Sequence, residues 1–568
     1  MKTKAVVWLL VVGLLFSLCG CSDKKSAQDI LGVLCDKQKV YGTVFGDGKV
    51  VDINVEIAQE DWQDICENPT AEAYHPATIT VNGTTLENVG FRTKGFSSLT
   101  TVAKSDSNRY GFKVKTDEYV HGQTLNGLDM FVLNGHFADP SYMREYLTYA
   151  AMAHLEGITP FVTYTNLSIN GELFGFYLCV EAYDDSFVQR HATAADTVLY
   201  KAESENCTLL PSDDGSGFTL SYGKDDGCTH IQQLISVLNA TTADNKAELE
   251  RLLDVDSVLK SLAVNTVMGN YDSYSGSKAH NYYLLYTNGK FSYIGWDYNM
   301  SIGGFNEDNG ASVTVDVRSP VYNVEISKRP LIEKLLAIDT YKDTYLQYVN
   351  ALLTYFADFE GMVSTISGLI DPYVENDPTA FYTVEQYREN LTASGKDLSQ
   401  MTGNQPGGQR PNMPEGGQKP NMPEGGQMPN MPEGGQMPNM PEGGQRPNMP
   451  EGGQMPSMPE GGQMPNMPEG GQMPNMPEGG QRPNMPEGGQ MPSMPEGGQM
   501  PNMPEGGQMP SMPEGGQMPS MPEGGQMPNM PEGMDRPGGD GMMNHEAVSI
   551  VDYMTQRIAY IQKQLGNL

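Results

Sequence analysis

From Arg410 the chain repeats a nonapeptide, (R/K/M)P(N/S)MPEGGQ, thirteen times without error to Gln526, and a fourteenth copy decays into MPNMPEGMD. Pro, Gly, Gln and Glu dominate the repeat, and it holds no aromatic or β-branched residue. Such a segment cannot bury enough apolar surface to offset the entropy of ordering its backbone. It is not collagen-like, because glycine does not fall at every third position. The composition predicts disorder with local polyproline character over 404–540, so any packed core must come from the rest of the chain. Beyond the repeat, Val548, Ile550, Val551, Met554, Ile558, Ile561 and Leu565 recur largely at helical spacing. Residues 545–568 therefore read as a helix that packs back on a body spanning 41–400. On this reading the repeat is an insertion and not a tail.

The first 21 residues, MKTKAVVWLLVVGLLFSLCGC, place two lysines before an apolar run and end in small residues and a cysteine. This is the pattern of a secretory signal, too short to span a bilayer. Its Leu18–Cys21 ending resembles a bacterial lipobox, which predicts lipidation of Cys21, a linker over 22–40, and a protein anchored to the outer face of a cell membrane. The five later cysteines show no CxxC spacing, and their odd number leaves at least one thiol unpaired. A formal charge of −34 argues against nucleic acid as a partner.

Within the body, the first half is strand-rich. Lys49–Ala58, Ala77–Val81, Val89–Thr93, Phe112–Lys115 and Met130–Leu133 have strand character, and Thr163–Glu181 reads as a hairpin turning at Asn170-Gly171. Pro140–His154 reads as a helix with Asp139 as its N-cap. The second half is helix-rich, with His230–Leu238, Lys246–Leu253, Asp256–Gly269, Pro330–Phe356 and Phe359–Val374. The fold class is α+β.

Chemistry concentrates where the helix 256–269 ends. A polar loop at 270–279 carries Asp272, and two strand-like runs, Tyr282–Tyr286 and Phe291–Trp296, follow around Asn288-Gly289. That dipeptide predicts a type I′ hairpin, since both central residues need φ > 0. Folding it brings His280 and Asn281 to Asp297. With a two-residue turn Asp297 pairs with His280 and neighbours Asn281 diagonally, so either could turn inward. Mg²⁺ takes hard oxygen ligands, which favours the amide. Two acids and an amide at a sheet rim suit an enzyme that holds Mg²⁺ and orients a hydroxyl.

The order of elements is that of a bilobal kinase, a strand-rich lobe with one helix and then a helical lobe. GxGxxG, HRD and DFG signatures are all missing, which excludes a standard eukaryotic-type kinase. The chain instead resembles the spore coat protein CotH family of secreted atypical kinases. The resemblance is carried by Gly90-FRTKGFS-Ser98, Phe112-KV-Lys115, Asp139-PSYMREYLTY-Ala150, Ile169-NGELFGFYLCV-Glu181, Asp272, His280-Asn281, Trp296-Asp297-Tyr298-Asn299 and Arg329-PLIEKL-Leu336. It covers about 45–400 and the final helix.

This resemblance implies roles. Lys113 would meet the nucleotide phosphates, with Lys115 as the alternative. Glu145 would pair with that lysine, with Arg144 as a competing polar clamp. Asp272 would orient the acceptor hydroxyl, and Asn281 and Asp297 would hold Mg²⁺ or Mn²⁺. Arg92, Lys94 and Ser97 would cover the phosphates of ATP. Two functions follow as expectations. The first is an extracellular, lipid-anchored kinase acting on Ser or Thr of low-complexity surface proteins, its own repeat among them. The second is a non-catalytic surface scaffold that keeps the fold.

Overall fold

A computed structural model describes residues 32–401 and 548–566, apart from 43, 47, 204, 205, 226 and 306–309. The leader with Cys21, the start of the linker and the repeat at 404–540 lie outside the described residues. Among the described residues, no helix is long and apolar enough to cross a membrane.

Seven strands form a closed barrel. They are β1 (Val51–Ile57), β2 (His75–Val81), β3 (Thr84–Lys94), β4 (Gly111–Lys115), β5 (Met130–Asn134), β6 (Val162–Ile169) and β7 (Glu172–Glu181). Their order is β1-β2-β3-β4-β5-β7-β6, and a parallel β1–β6 pairing closes the ring, with Ile53 beside Leu167. Alternation explains the interior. Val51, Ile53, Val55 and Ile57 are buried on β1 while Asp52 and Glu56 are exposed. They share one core with Ile79, Phe91, Phe112, Val114, Leu133 and Tyr177. The opposite parity points out of the barrel. Arg92 pairs with Lys113 across β3–β4, and Lys113 pairs with Val132 across β4–β5. That outer face therefore carries cations by register alone.

In chain order the helices are α1 (Gln59–Glu67), α2 (Ser97–Val102), α3 (Arg144–His154), α4 (Asp185–His191), α5 (Thr229–Ala240), α6 (Lys246–Leu252) and α7 (Val255–Met268), the first three preceding β7. Then follow α8 (Pro330–Leu336), α9 (Asp339–Tyr355), α10 (Phe359–Val374), α11 (Val384–Asn390) and α12 (Ile550–Gly566). A second sheet joins β8 (Val198–Ala202), β9 (Phe218–Tyr222), β10 (Tyr282–Thr287) and β11 (Lys290–Gly295) in the order β11-β10-β8-β9. The architecture is mixed α+β.

Three expectations need correction. Helix α3 starts at Arg144, not Pro140. Asp139 instead holds a turn: its carboxylate accepts from Ser141 N at 3.0 Å and from Arg144 N at 2.9 Å, so it still satisfies an N–H of the first helical turn. The single helix expected over 330–356 is two, because Ile338 takes an extended conformation between α8 and α9. Strands β8 and β9 and the barrel closure were not foreseen.

Helix α12 docks through polar contacts as well as apolar ones. The buried Arg557 guanidinium donates to the carbonyls of Thr266, Val313 and Val315 at 2.7–3.0 Å. Tyr553 lies over Gly269, where a Cβ would come within 1.9 Å of its hydroxyl oxygen. Gly269 is also left-handed (φ +60°), so it ends α7 and admits Tyr553 at once. This fixes the loop that follows, which carries Asp272.

Candidate active site

A cavity of about 870 Å³ opens between the outer face of the barrel and the second sheet. That lies within the usual range of small-molecule pockets. Lys94 and Lys113 reach it from β3 and β4, Ser97 from the start of α2, and Glu145 from α3. Asp272, His280, Asn281 and Asp297 reach it from the loop after α7 and from the open end of the β10–β11 hairpin.

The hairpin folds as its sequence dictates. Asn288 and Gly289 are both left-handed (φ +51° and +75°), and Tyr282 pairs with Gly295. At the open end, Asn281 and Asp297 are themselves left-handed, at φ +57° and +59°. Asn and Asp enter that region more readily than most residues, so both positions tolerate it at modest cost. Asn281 Nδ2 donates to the Asp272 backbone carbonyl at 2.9 Å and to its carboxylate at 3.2 Å. His280 Nε2 meets the same carboxylate at 2.7 Å. The Asp272–His280 contact was not anticipated, although the i, i+8 spacing across a tight loop makes it reachable.

Burial dominates the electrostatics. It pushes the Asp297 carboxyl up, Lys94 pulls it back down, and Asp272 adds to the rise. Burial also pushes Glu145 up to about 8, with the Asp297 charge the next cause. Lys113 is held down to about 8 by burial and then by the like charges of Arg92, Lys94 and Lys201. A buried Glu145 and a half-buried Asp297 that repel one another, beside a Lys113 whose charged neighbours are mostly cations, form a site short of a cation on one side and of an anion on the other.

The structure alters several assigned roles. The expected Lys113–Glu145 ion pair is not made; Glu145 accepts from Asn134 Nδ2 at 2.9 and 3.0 Å instead. Lys115 does not line the cavity and binds Glu118 at 3.2 Å. Arg144 is fully buried away from the cavity, bonded to Asp139 at 2.7 Å and to the Val548 carbonyl at 2.7 Å, so it fastens the segment leading into α12 and is no phosphate clamp. Arg92 lines the cavity but is held by Glu72 and lies 5.0 Å from the Tyr74 ring centroid.

Sequence reading also missed Lys201, Glu203 and Asp184, which line the same cavity. The carboxylates of Asp129, Asp184 and Asp185 lie within 4.8 Å of one another. Burial, followed by the charges of Asp129 and Asp185, pushes Asp184 up to about 7. The adjacent acids Asp184-Asp185 just past a strand were the available signal.

The donor set fits a divalent cation. Asp297 offers a half-buried carboxylate facing other acids, and Asn281 spends its NH₂ on Asp272, which leaves its amide oxygen as an acceptor. Asn134 Oδ1, on the same wall as Glu145, is a buried acceptor without a hydrogen-bond partner.

Comparison with known proteins bears on the family of the chain. Residues 405–500 match a model described as a domain of unknown function. The inner spore coat protein H of Bacillus subtilis (strain 168) is 26% identical over 304 residues, covering 49% of this chain and 80% of that protein. Residues 91–400 match the family model described as CotH kinase protein, and this chain belongs to that family.

Proposed function

We propose that this protein is an atypical protein kinase that transfers phosphate from ATP to Ser or Thr of surface or coat proteins. One observation carries the reading: one cavity brings Lys94 and Lys113, from the outer face of the barrel, opposite Asp272, Asn281 and Asp297, from the hairpin end. The fold reading that goes with it is a bilobal, kinase-like one, with the barrel as the strand-rich lobe. Phosphoryl transfer needs positioning and charge neutralisation more than covalent catalysis, and this is a set of charges with little else. Lys113 contacts the phosphates, and Asp272 orients the acceptor hydroxyl with His280 and Asn281 fixing its carboxylate. Asn281 and Asp297 would hold Mg²⁺ or Mn²⁺, with Glu145 in reach of the same charge; when bound, the ion neutralises phosphate oxygens. A surface location, with Cys21 as lipid anchor, is the matching placement, and the repeat serines Ser457, Ser493, Ser511 and Ser520 are acceptors in this reading. The missing Lys113–Glu145 pair favours the second reading, a scaffold that keeps the fold without transfer.

The test is incubation of the full chain with labelled ATP and Mg²⁺ or Mn²⁺, followed by detection of label on protein. Asp272→Asn is expected to retain nucleotide binding within about threefold while transfer falls by about 10³-fold, because a residue that orients only the acceptor contributes little to ground-state binding. Wild-type rates from Asp272→Asn would remove Asp272 from the chemistry. Nucleotide binding without transfer in the wild type would leave the scaffold.

A further inference from the structure

Lys201 stands on β8 between Tyr283 of β10 and Thr219 of β9, so two neighbouring strands fix its backbone. Its side chain enters the same cavity as Lys113, from the opposite sheet. The two ammonium groups lie near enough to repel, and Lys201 also acts on the Asp297 carboxylate. Lys201 Nζ is held by Glu203 Oε1 at 2.5 Å, with both side chains more than a third exposed (38% and 43%). An exposed pair of this kind contributes little to stability and is easily exchanged. A phosphate presents more charge than one carboxylate, and lysine binds phosphate as a mobile point charge. Lys113 reaches the cavity from the barrel and Lys201 from the four-stranded sheet, so a polyphosphate between them would be gripped from both sides.

We propose that Lys201 is a second phosphate-contacting lysine, parked on Glu203 and exchanged onto the nucleotide phosphates when the cavity fills. This rests on the nucleotide-site reading above. It assigns Glu203 the role of a competing anion, so the two residues should act with opposite sign.

The experiment is calorimetric titration of the full chain with a non-hydrolysable ATP analogue and Mg²⁺, and separately with inorganic tripolyphosphate and Mg²⁺. Unliganded melting temperatures serve as the check on folding. Lys201→Ala is expected to weaken both ligands about tenfold or more, as loss of one charge-assisted contact does. Where Ala perturbs the strand, Lys201→Gln keeps the stem and loses the charge. Glu203→Gln is expected to tighten both about twofold to fivefold, and this gain should vanish in the Lys201→Ala background, which a double-mutant cycle reads directly. Wild-type affinity in Lys201→Ala would overturn the assignment, and so would equal weakening by both single variants, which marks a structural pair. A Glu203→Gln gain that survives without Lys201 would reduce Glu203 to a background charge and also overturn the exchange. A folded wild type that binds neither ligand would overturn the nucleotide site and this assignment together.

Discussion

Glu145 on α3 and Glu181 at the end of β7 are both buried glutamates, 4% and 0% exposed, yet their surroundings differ in kind. Glu181 has a complete shell. It accepts from Tyr41 Oη at 2.8 Å, from Phe161 N at 2.9 Å and from Arg190 Nη2 at 2.5 Å. Burial pushes its carboxyl up, and these donors and the Arg190 charge pull it back. Glu145 has one amide donor, Asn134, and its strongest charged neighbour is another carboxylate, Asp297. A buried charge with a full set of donors is part of the architecture; a buried charge facing its like is waiting for a ligand. On the proposed function, the contrast assigns Glu145 to the cation site and Glu181 to the architecture.

Glu181→Ala therefore makes the largest expected change in stability. It strands Arg190, whose side chain is only 17% exposed, and leaves the Phe161 N–H and Tyr41 hydroxyl without their acceptor. Breaking one side of a buried pair costs about 3–5 kcal/mol. Denaturant unfolding should show a loss on that scale; a loss under about 1 kcal/mol would break the comparison from the structural side.

Asp297→Ala tests the other side. It removes a proposed cation ligand and Glu145's repelling neighbour in one change. Metal-dependent nucleotide affinity should fall by about 10²-fold, in line with the loss of a ligand to the ion that neutralises phosphate. The unliganded melting temperature should not fall, since the lost carboxylate is half-buried beside the like charges of Asp272 and Glu145. Calorimetry and a thermal scan on the same preparation check both halves. A drop in melting temperature with unchanged affinity would assign Asp297 to the architecture.

The two environments were not equally legible in the sequence. The β10–β11 register was, because Asn288-Gly289 permits one turn type and the strand period does the rest. Lys113 on an outward face was legible by alternation with Phe112 and Val114. The choice between Arg144 and Glu145 was not. Adjacent helical residues point about 100° apart, so one had to face the cavity and the other the body, and only packing against Val548 decides which. Lys115 shares Lys113's parity but lies past the cavity edge, where Glu118 takes it. The shell of Glu181 joins residues 41, 161, 181 and 190, and barrel closure joins β1 to β6 in parallel. Such pairings are set by global closure and leave no local trace.

Glu145→Gln gives the sharpest reading of the comparison, because its effect is confined to one pH window. The Glu145 carboxyl titrates at about 8 in the folded chain, above its ordinary value of 4.5, because of burial and then the Asp297 charge. Between those two values the folded state binds a proton that the unfolded state has released. Stability then falls as pH rises through the window, and the Glu145 penalty is complete above about 8. Glutamine keeps the shape and the Asn134 contact, with an amide oxygen in place of a carboxylate oxygen, and it never acquires the charge. The variant should lie within about 1 kcal/mol of wild type near pH 5 and exceed it by a few kcal/mol near pH 8.5, since each unit between 4.5 and about 8 is worth about 1.4 kcal/mol. Saturating Mg²⁺ should shrink the difference at pH 8.5, because a bound cation relieves in the wild type the same repulsion that the substitution removes. Melting curves at the two pH values, with and without Mg²⁺, make the measurement. Parallel pH profiles for the two proteins would show that Glu145 stays ionised and satisfied throughout, which would make it a second Glu181 and erase the distinction.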